Sequence, residues 1–151
     1  MIRDDIKAAL LTAMKSGDKA RTATIRLIQS SVKNRDIELR VSTAQADDDV
    51  TIVEVLQKMV KQRRESVAMF EQGGRRELAD AEKAEIEVIE GFLPRQMSED
   101  EARAAIDSIV AEMGAASVKD MGRVMAAMKE RHAGSLDMSK ASALVKARLS
   151  A

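Results

Sequence analysis

The chain predicts an all-α protein, with an N-terminal domain of four helices over residues 1–93 and a small C-terminal domain of three over residues 94–151. Three observations lead there. Ala, Leu, Met, Glu, Lys and Arg dominate the composition, and these residues lose little freedom on entering a helix. Apolar residues recur at three-and-four spacing in segment after segment. One proline and seven glycines in 151 residues leave too few turn formers for a fold of many short strands. At 45% hydrophobic and 33% charged, the chain is also too apolar to stay disordered. Phe70 and Phe92 are the sole aromatics, so the core must be aliphatic, with ten methionines as adaptable filler.

The first predicted helix runs from Ile2 to Lys15, with Ile2, Ile6, Ala9, Leu10 and Ala13 inward; Ser16-Gly17 ends it and Asp18 caps the next. The second runs from Lys19 to Arg40 on a stripe of Ile25, Ile28, Val32 and Leu39. Residues 41–49, VSTAQADDD, form a polar connection whose aspartates favour the start of the following helix. The third spans Val50 to Gln72, burying Val53, Leu56, Val60, Val67 and Phe70, and the fourth spans Arg75 to Gly91, burying Leu78, Ala81, Ile89 and Phe92. Leu93-Pro94 breaks the pattern, since proline disfavours helix in the residue before it, and Ser98 to Glu101 reads as a capping box. The fifth helix, Ser98 to Met113, turns Ala102, Ile106, Ile109 and Val110 inward. The sixth, Val118 to His132, buries Met121, Val124, Met125 and Met128, with Ser117 as its cap. Gly134 ends that turn, Asp137 caps the seventh helix, and Ala141, Leu144, Val145 and Leu149 form its inner face. Gly122 inside the sixth helix costs about 1 kcal/mol relative to alanine, which a close helix crossing would justify, or else the approach of a ligand's backbone.

Charge stands in the apolar stripe at one place. Arg63 lies midway across the buried face of the third helix, and Glu82 and Glu85 lie within that of the fourth. An unpaired charge there costs several kcal/mol, about 3–5 when one partner of a buried pair is removed. The turn at Gly73-Gly74 makes the two helices an antiparallel hairpin that sets Arg63 level with the glutamates. The expectation is a structural ion pair from Arg63 to Glu82 or Glu85. Two carboxylates three apart also suit acid–base chemistry, but an arginine at the matching height explains them without a substrate.

Other chemistry is thinly supplied. There is no cysteine, which excludes thiol nucleophiles, disulfides and cysteine-based zinc sites, and His132 is the one histidine. No Gly-rich phosphate loop is present, and no Ser–Lys amidase arrangement can be recognised. No metal site, no cofactor and no independent catalytic activity are expected. No run of about 18 apolar residues spans a membrane. The N-terminus has no apolar signal block and carries Asp4 and Asp5, unlike a transit peptide, so a cytoplasmic protein is expected.

The net charge is zero, but residues 1–40 carry +4, residues 41–113 carry −8 and residues 114–151 carry +4. The basic ends either hold the acidic middle or face phosphates. On the second helix Arg26, Lys33 and Arg40 fall seven apart and share one face, so they are candidate RNA contacts, the alternative being a solvated face. With so few aromatics the chain has no platform for stacking splayed bases. RNA would have to be held by its phosphates and folded shape.

The segments KQRRES at 61–66, GRRELADAEKAEIEVIEGFLPRQMSEDE at 74–101, KDMGRVMAAMKERHAGSLDMSKASALVKARL at 119–149 and IRLIQSSVKNRDIE at 25–38 together resemble the YqeY family over nearly the whole chain. That family shares its helical tail with the B subunit of the glutamine-dependent aminoacyl-tRNA amidotransferase, whose tail recognises tRNA, and is more distantly similar to the N-terminal region of glutaminyl-tRNA synthetase. The resemblance implies a tRNA-facing surface around Lys119, Gly122, Arg123, Gly134 and Lys146. It marks Lys61, Arg63, Glu82 and Glu85 as family positions without attached chemistry. Three functions follow as expectations. One is a non-catalytic adaptor that binds tRNA. Another is an interaction module that docks on a translation enzyme such as the amidotransferase. The last is an accessory to a carbon–nitrogen ligase with glutamine as amido-N-donor, a label inherited from the family.

Overall fold

The computed structural model describes residues 1–42 and 47–150; residues 43–46 of the predicted polar connection lie outside them. Among the described residues the chain is helical throughout, with no strand: α1 (Ile2–Ser16), α2 (Lys19–Arg40), α3 (Asp48–Gln72), α4 (Arg76–Glu90), α5 (Glu99–Met113), a 3-10 helix (Val118–Asp120), α6 (Met121–His132) and α7 (Met138–Ser150). Contacts gather into two compact units, Met1–Leu93 and Pro94–Ala151.

In the first unit α1 and α2 form a hairpin. Gly17 ends α1 with φ 73°, a left-handed turn that favours glycine, and the Asp18 carboxylate accepts the Arg21 amide at 3.0 Å. The helix α3 packs against α1, α2 and α4. Its N-terminal half is therefore buried over a wider arc than one stripe: Ile52 and Met59, seven apart, join Val53, Leu56 and Val60 in the core. Around them close Ile6, Ala13, Ile25, Ile28, Val32 and Ile89.

The three aspartates at the start of α3 each do something different. Asp47 caps the helix, its Oδ1 accepting the Asp49 amide at 2.9 Å and the Val50 amide at 3.3 Å. Asp49 accepts the Ile2 amide at 3.0 Å, so it caps α1 from another helix. Asp48 takes Arg3. The Arg3 Nε and Nη2 atoms donate to Asp48 at 3.0 and 2.7 Å, while Nη1 and Nη2 donate to Asp36 of α2, each at 3.0 Å. One guanidinium thus ties three helices through two forked pairs. The bond from Arg3 holds the Asp48 carboxyl below its ordinary range, and the two aspartates hold Arg3 protonated.

The α3–α4 hairpin turns at Gly73-Gly74, where Gly74 has φ 71° and the Arg75 amide reaches back to the Phe70 carbonyl at 2.8 Å. The inward stripe of α4 departs from expectation. Ala79 and Ile89 are buried with Ile86 and Phe92 packed beside them, whereas Leu78 and Ala81 are exposed. The stripe that faces α3 runs Ala79, Glu82, Ile86, Ile89, so Leu78 lies one residue off its edge. Arg63 Nε donates to Glu85 Oε2 at 2.8 Å, and its Nη1 to the Met59 carbonyl at 3.3 Å. Glu82 is half-buried without an ion pair among the described residues. Lys83–Glu71 at 2.7 Å and Arg64–Glu90 bridge the same two helices further out.

The second unit begins with the capping box: the Glu101 amide donates to Ser98 Oγ at 3.1 Å and the Ser98 amide to Glu101 Oε2 at 3.2 Å. Its core is Ala102, Ile106, Ile109, Val110, Val124, Met128, Ala141, Val145 and Leu149, closed by Leu136 from the α6–α7 turn. Asp137 caps α7, its Oδ1 accepting the Ser139 amide at 2.7 Å.

The Arg63–Glu85 pair yields a direct prediction. The two side chains are 16% and 32% exposed, so the pair is dry enough to matter and wet enough to fall short of the fully buried case. Arg63→Met should cost about 1–3 kcal/mol in urea unfolding. Arg63→Met/Glu85→Met should regain most of it, because no carboxylate is then left unpaired.

Candidate nucleic-acid interface

The tail surface is organised by Asp120. Gly114 stops α5, and the chain then folds back through a 3-10 turn before α6, so the sixth predicted helix starts as two pieces. The break has a local cause. Asp120 Oδ2 accepts the Ala116 amide at 2.9 Å and the Ser117 amide at 3.3 Å, and Ser117 Oγ accepts the Lys119 amide at 3.3 Å. These bonds close a tight turn that a continuous α-helix could not hold. Asp120 Oδ1 also accepts Arg123 Nη2 at 2.7 Å. The Ala116 amide foremost, with Arg123 and the Ser117 amide, brings the Asp120 carboxyl down to about 2.

Lys119, Gly122 and Arg123 therefore meet at one exposed junction, where Arg123 is tethered to Asp120 and Lys119 enters no ion pair among the described residues. Gly122 does not serve a helix crossing: a Cβ there would meet nothing within 4 Å. It sits in the first turn of α6 on the side away from Val124 and Met128. With Ala126 and Lys129 it forms an exposed stripe at four-and-three spacing, and Lys129 is a cation that single-residue reading overlooked. The outer face of α7 is built alike, from Ser139, Ala143, Lys146 and Ser150, all exposed. Both faces are low and smooth, each with one lysine.

Gly134 belongs elsewhere. It lies past the far end of α6, about 18 Å from the junction at 1.5 Å per residue. A Cβ on Gly134 would touch Pro94 Cγ at 3.7 Å, its carbonyl accepts Gln96 Nε2 at 2.9 Å, and the neighbouring Ser135 carbonyl accepts the Met97 amide at 2.7 Å. Gly134 thus fastens the turn to the start of its own unit and shows little surface to a ligand.

In the first unit Arg26, Lys33 and Arg40 are all exposed along α2 and enter no ion pair among the described residues. Between α1, α2 and α3 lies an open cleft of about 240 Å³ lined by Arg3, Lys7 and Lys33 together with Asp36. Arg3 is already spent on Asp36 and Asp48, so the cleft is less cationic than its lining suggests. The Arg3 clamp was invisible to helical periodicity because its members lie 33 and 45 residues apart. No group of three or more His, Asp or Glu side chains among the described residues is arranged to hold a metal ion. No helix among them is long and apolar enough to cross a membrane.

Comparison with known proteins matches residues 3–149 to the family described as Yqey-like protein. Altered inheritance of mitochondria protein 41, mitochondrial, of Lachancea thermotolerans is 29% identical over 111 residues, covering 72% of this chain and 58% of its own length. The protein of that name in Pyrenophora tritici-repentis is 30% identical over 142 residues, 89% of this chain and 75% of its own. That of Clavispora lusitaniae is 35% identical over 88 residues, 58% and 49%. The chain spans about half the length of several curated relatives it matches, at 58%, 45% and 58% for three of them. Their names place those proteins in mitochondria.

Two measurements check this geometry. Gly122→Ala should raise stability by about 0.5–1 kcal/mol, because open space receives the methyl and the helix gains propensity. The Asp120 carboxyl, followed by side-chain carbon NMR, should titrate near 2 against an ordinary 3.8. A depressed folded value means its contribution to stability is complete above the ordinary value and disappears as pH falls through the folded one. The stability difference between the native chain and Asp120→Asn should accordingly shrink as pH falls from about 4 towards 2.

Proposed function

The chain belongs to the YqeY-like family, and from that premise we propose that it is a non-catalytic helical adaptor that binds structured tRNA through its C-terminal unit. One observation carries this reading. The outer faces of α6 and α7 are stripes of small residues, Gly122 and Ala126 on one, Ser139, Ala143 and Ser150 on the other. Each stripe holds one exposed lysine, Lys129 or Lys146. A sugar–phosphate backbone can approach such a face closely, and a lysine serves as a point charge for a phosphate. Lys119 and the tethered Arg123 extend the positive surface at the start of α6.

The rest of the molecule agrees. Two phenylalanines, both partly buried, leave no stacking platform for splayed bases, so recognition would rest on phosphates and on folded shape. Of the two carboxylates whose spacing suits acid–base chemistry, Glu85 already holds Arg63, and Glu82 is half-buried without an ion pair among the described residues. The row on α2 sits among exposed apolar side chains that phosphates would leave unused, so the tail alone carries the tRNA reading. The role needs a compartment that holds tRNA. The cytoplasm expected from the sequence and the mitochondrion named for the relatives both do.

The test is a filter-binding titration against bulk tRNA and an unstructured single-stranded RNA at two salt concentrations. We expect tRNA to bind more tightly, with affinity falling steeply as salt rises. Lys119→Glu/Lys146→Glu should weaken tRNA binding and lower the salt slope by about 2, with an unchanged circular dichroism spectrum. Equal, weak binding of both RNAs, or an unaltered slope in the variant, would overturn the proposal.

A further inference from the structure

The outward face of α2 carries more than its cations. Ala23, Leu27, Ser30, Asn34, Ile37 and Val41 follow one another at spacings of four, three, four, three and four, and every one of them is exposed. At 100° per residue they fall within an arc of about 80°, opposite the buried Ile25, Ile28 and Val32. Leu27, Ile37 and Val41 are 44%, 48% and 90% exposed, although each is a large apolar side chain. Val41 follows the last residue of α2 with φ −96° and ψ −1°, so the helical path carries it onto the same stripe. Residues 23–41 thus run about 27 Å along the helix at 1.5 Å per residue.

This is the spacing of a coiled-coil seam. Leu27, Asn34 and Val41 take the a positions, and Ala23, Ser30 and Ile37 the d positions. Arg26, Lys33 and Arg40 then all fall at g, directly beside the seam, exposed and without ion pairs among the described residues. The e side is different: Thr24 is buried, Ser31 is uncharged, and Glu38 is already bonded to Arg35 at 3.0 Å. One flank is wholly cationic and the other offers no free acid.

We propose that the solvent face of α2 docks a single amphipathic helix of a partner protein, apolar along its seam and acidic along the flank that meets Arg26, Lys33 and Arg40. Charge decides the occupant. A second copy of this chain pairing antiparallel would set g against g, three cations facing three cations. Parallel pairing would set g against e, where the one acid is taken. RNA would answer the cations but leave Leu27, Ile37 and Val41 uncovered, and residues 23–41 contain no aromatic to stack on a base. An acid-flanked helix satisfies the charge and the apolar stripe together, and Asn34 at an a position would help fix its register. This inference concerns the N-terminal unit and does not depend on the tRNA reading of the tail.

Fluorescence anisotropy tests it with the full chain and a labelled peptide of about four heptads, leucine at a and d and glutamate at e and g. Such a peptide repels itself at neutral pH and so remains available. It should bind, and its counterpart with lysine at e and g should not. Leu27→Ser/Ile37→Ser should weaken binding by about tenfold or more. Arg26→Glu/Lys33→Glu/Arg40→Glu should reverse the preference towards the lysine peptide. All of these positions are exposed, so the variants should keep the native circular dichroism spectrum, and Lys119→Glu/Lys146→Glu should leave peptide binding unchanged. The proposal is overturned if both peptides bind alike or neither binds. It is equally overturned if charge reversal on α2 removes tRNA binding and leaves peptide binding intact. Self-association in sedimentation that Ile37→Ser abolishes would assign the face to a second copy instead.

Discussion

A guanidinium held in the seam between α3 and α4 is the constraint on which the N-terminal unit depends. Arg63 occupies a position where an aliphatic residue would pack without cost, so its hydrogen bonds must be supplied from within the hairpin. Glu85 and the Met59 carbonyl supply them, and doing so fixes the register of α4 on α3. Sliding α4 by one residue would take the carboxylate off the guanidinium and rotate Ala79 and Ile89 out of the core. The outer pairs, Lys83–Glu71 and Arg64–Glu90, agree with that register but are exposed enough to add little.

A second polar device does for α1, α2 and the start of α3 what Arg63 does for the hairpin. Arg3 takes Asp36 and Asp48 in two forked pairs, and Asp49 caps α1 from across the chain. Geometry of this kind is specific even where the energy is modest. The buried cluster behind it is aliphatic and methionine, with Phe92 packed at its edge, and such side chains fill space without dictating one arrangement. Polar contacts therefore carry much of the orientation, and they leave a clear division among the cations. Arginines such as Arg3 and Arg63 hold the helices together. The cations left unpaired among the described residues include Arg26, Lys33 and Arg40 on α2 and Lys119, Lys129 and Lys146 on the tail.

That division organises the functional reading. Cations among small side chains suit close approach of a phosphate backbone, while cations beside an exposed apolar seam suit a helix of opposite charge. An adaptor with one surface of each kind would join an RNA to a protein. The zero net charge of the chain conceals this. Attraction lies in where unpaired charge is placed, since paired charges cancel locally.

How much of this could be read beforehand depends on the distance between cause and effect along the chain. Periodicity of 3.6 is a local property, and it determined the helical fold and most inward faces, including every core residue expected on α5. Caps are local too, and Asp18, Ser98 and Asp137 act as their positions imply. The misses are of another kind. Leu78 and Ala81 look buried on a wheel, yet the face α4 presents is chosen by α3, which selects Ala79 instead. Gly122 suggested a crossing, but no element packs there. The choice of Glu85 over Glu82, the Arg3 clamp and the exposure of the α2 seam rest on contacts between residues tens of positions apart. By itself the sequence determined that these helices form and which residues could be buried. The tertiary structure alone decided which charges are consumed in holding the helices together and which remain for a partner, because an ion pair exists only once the fold has brought its two members within reach.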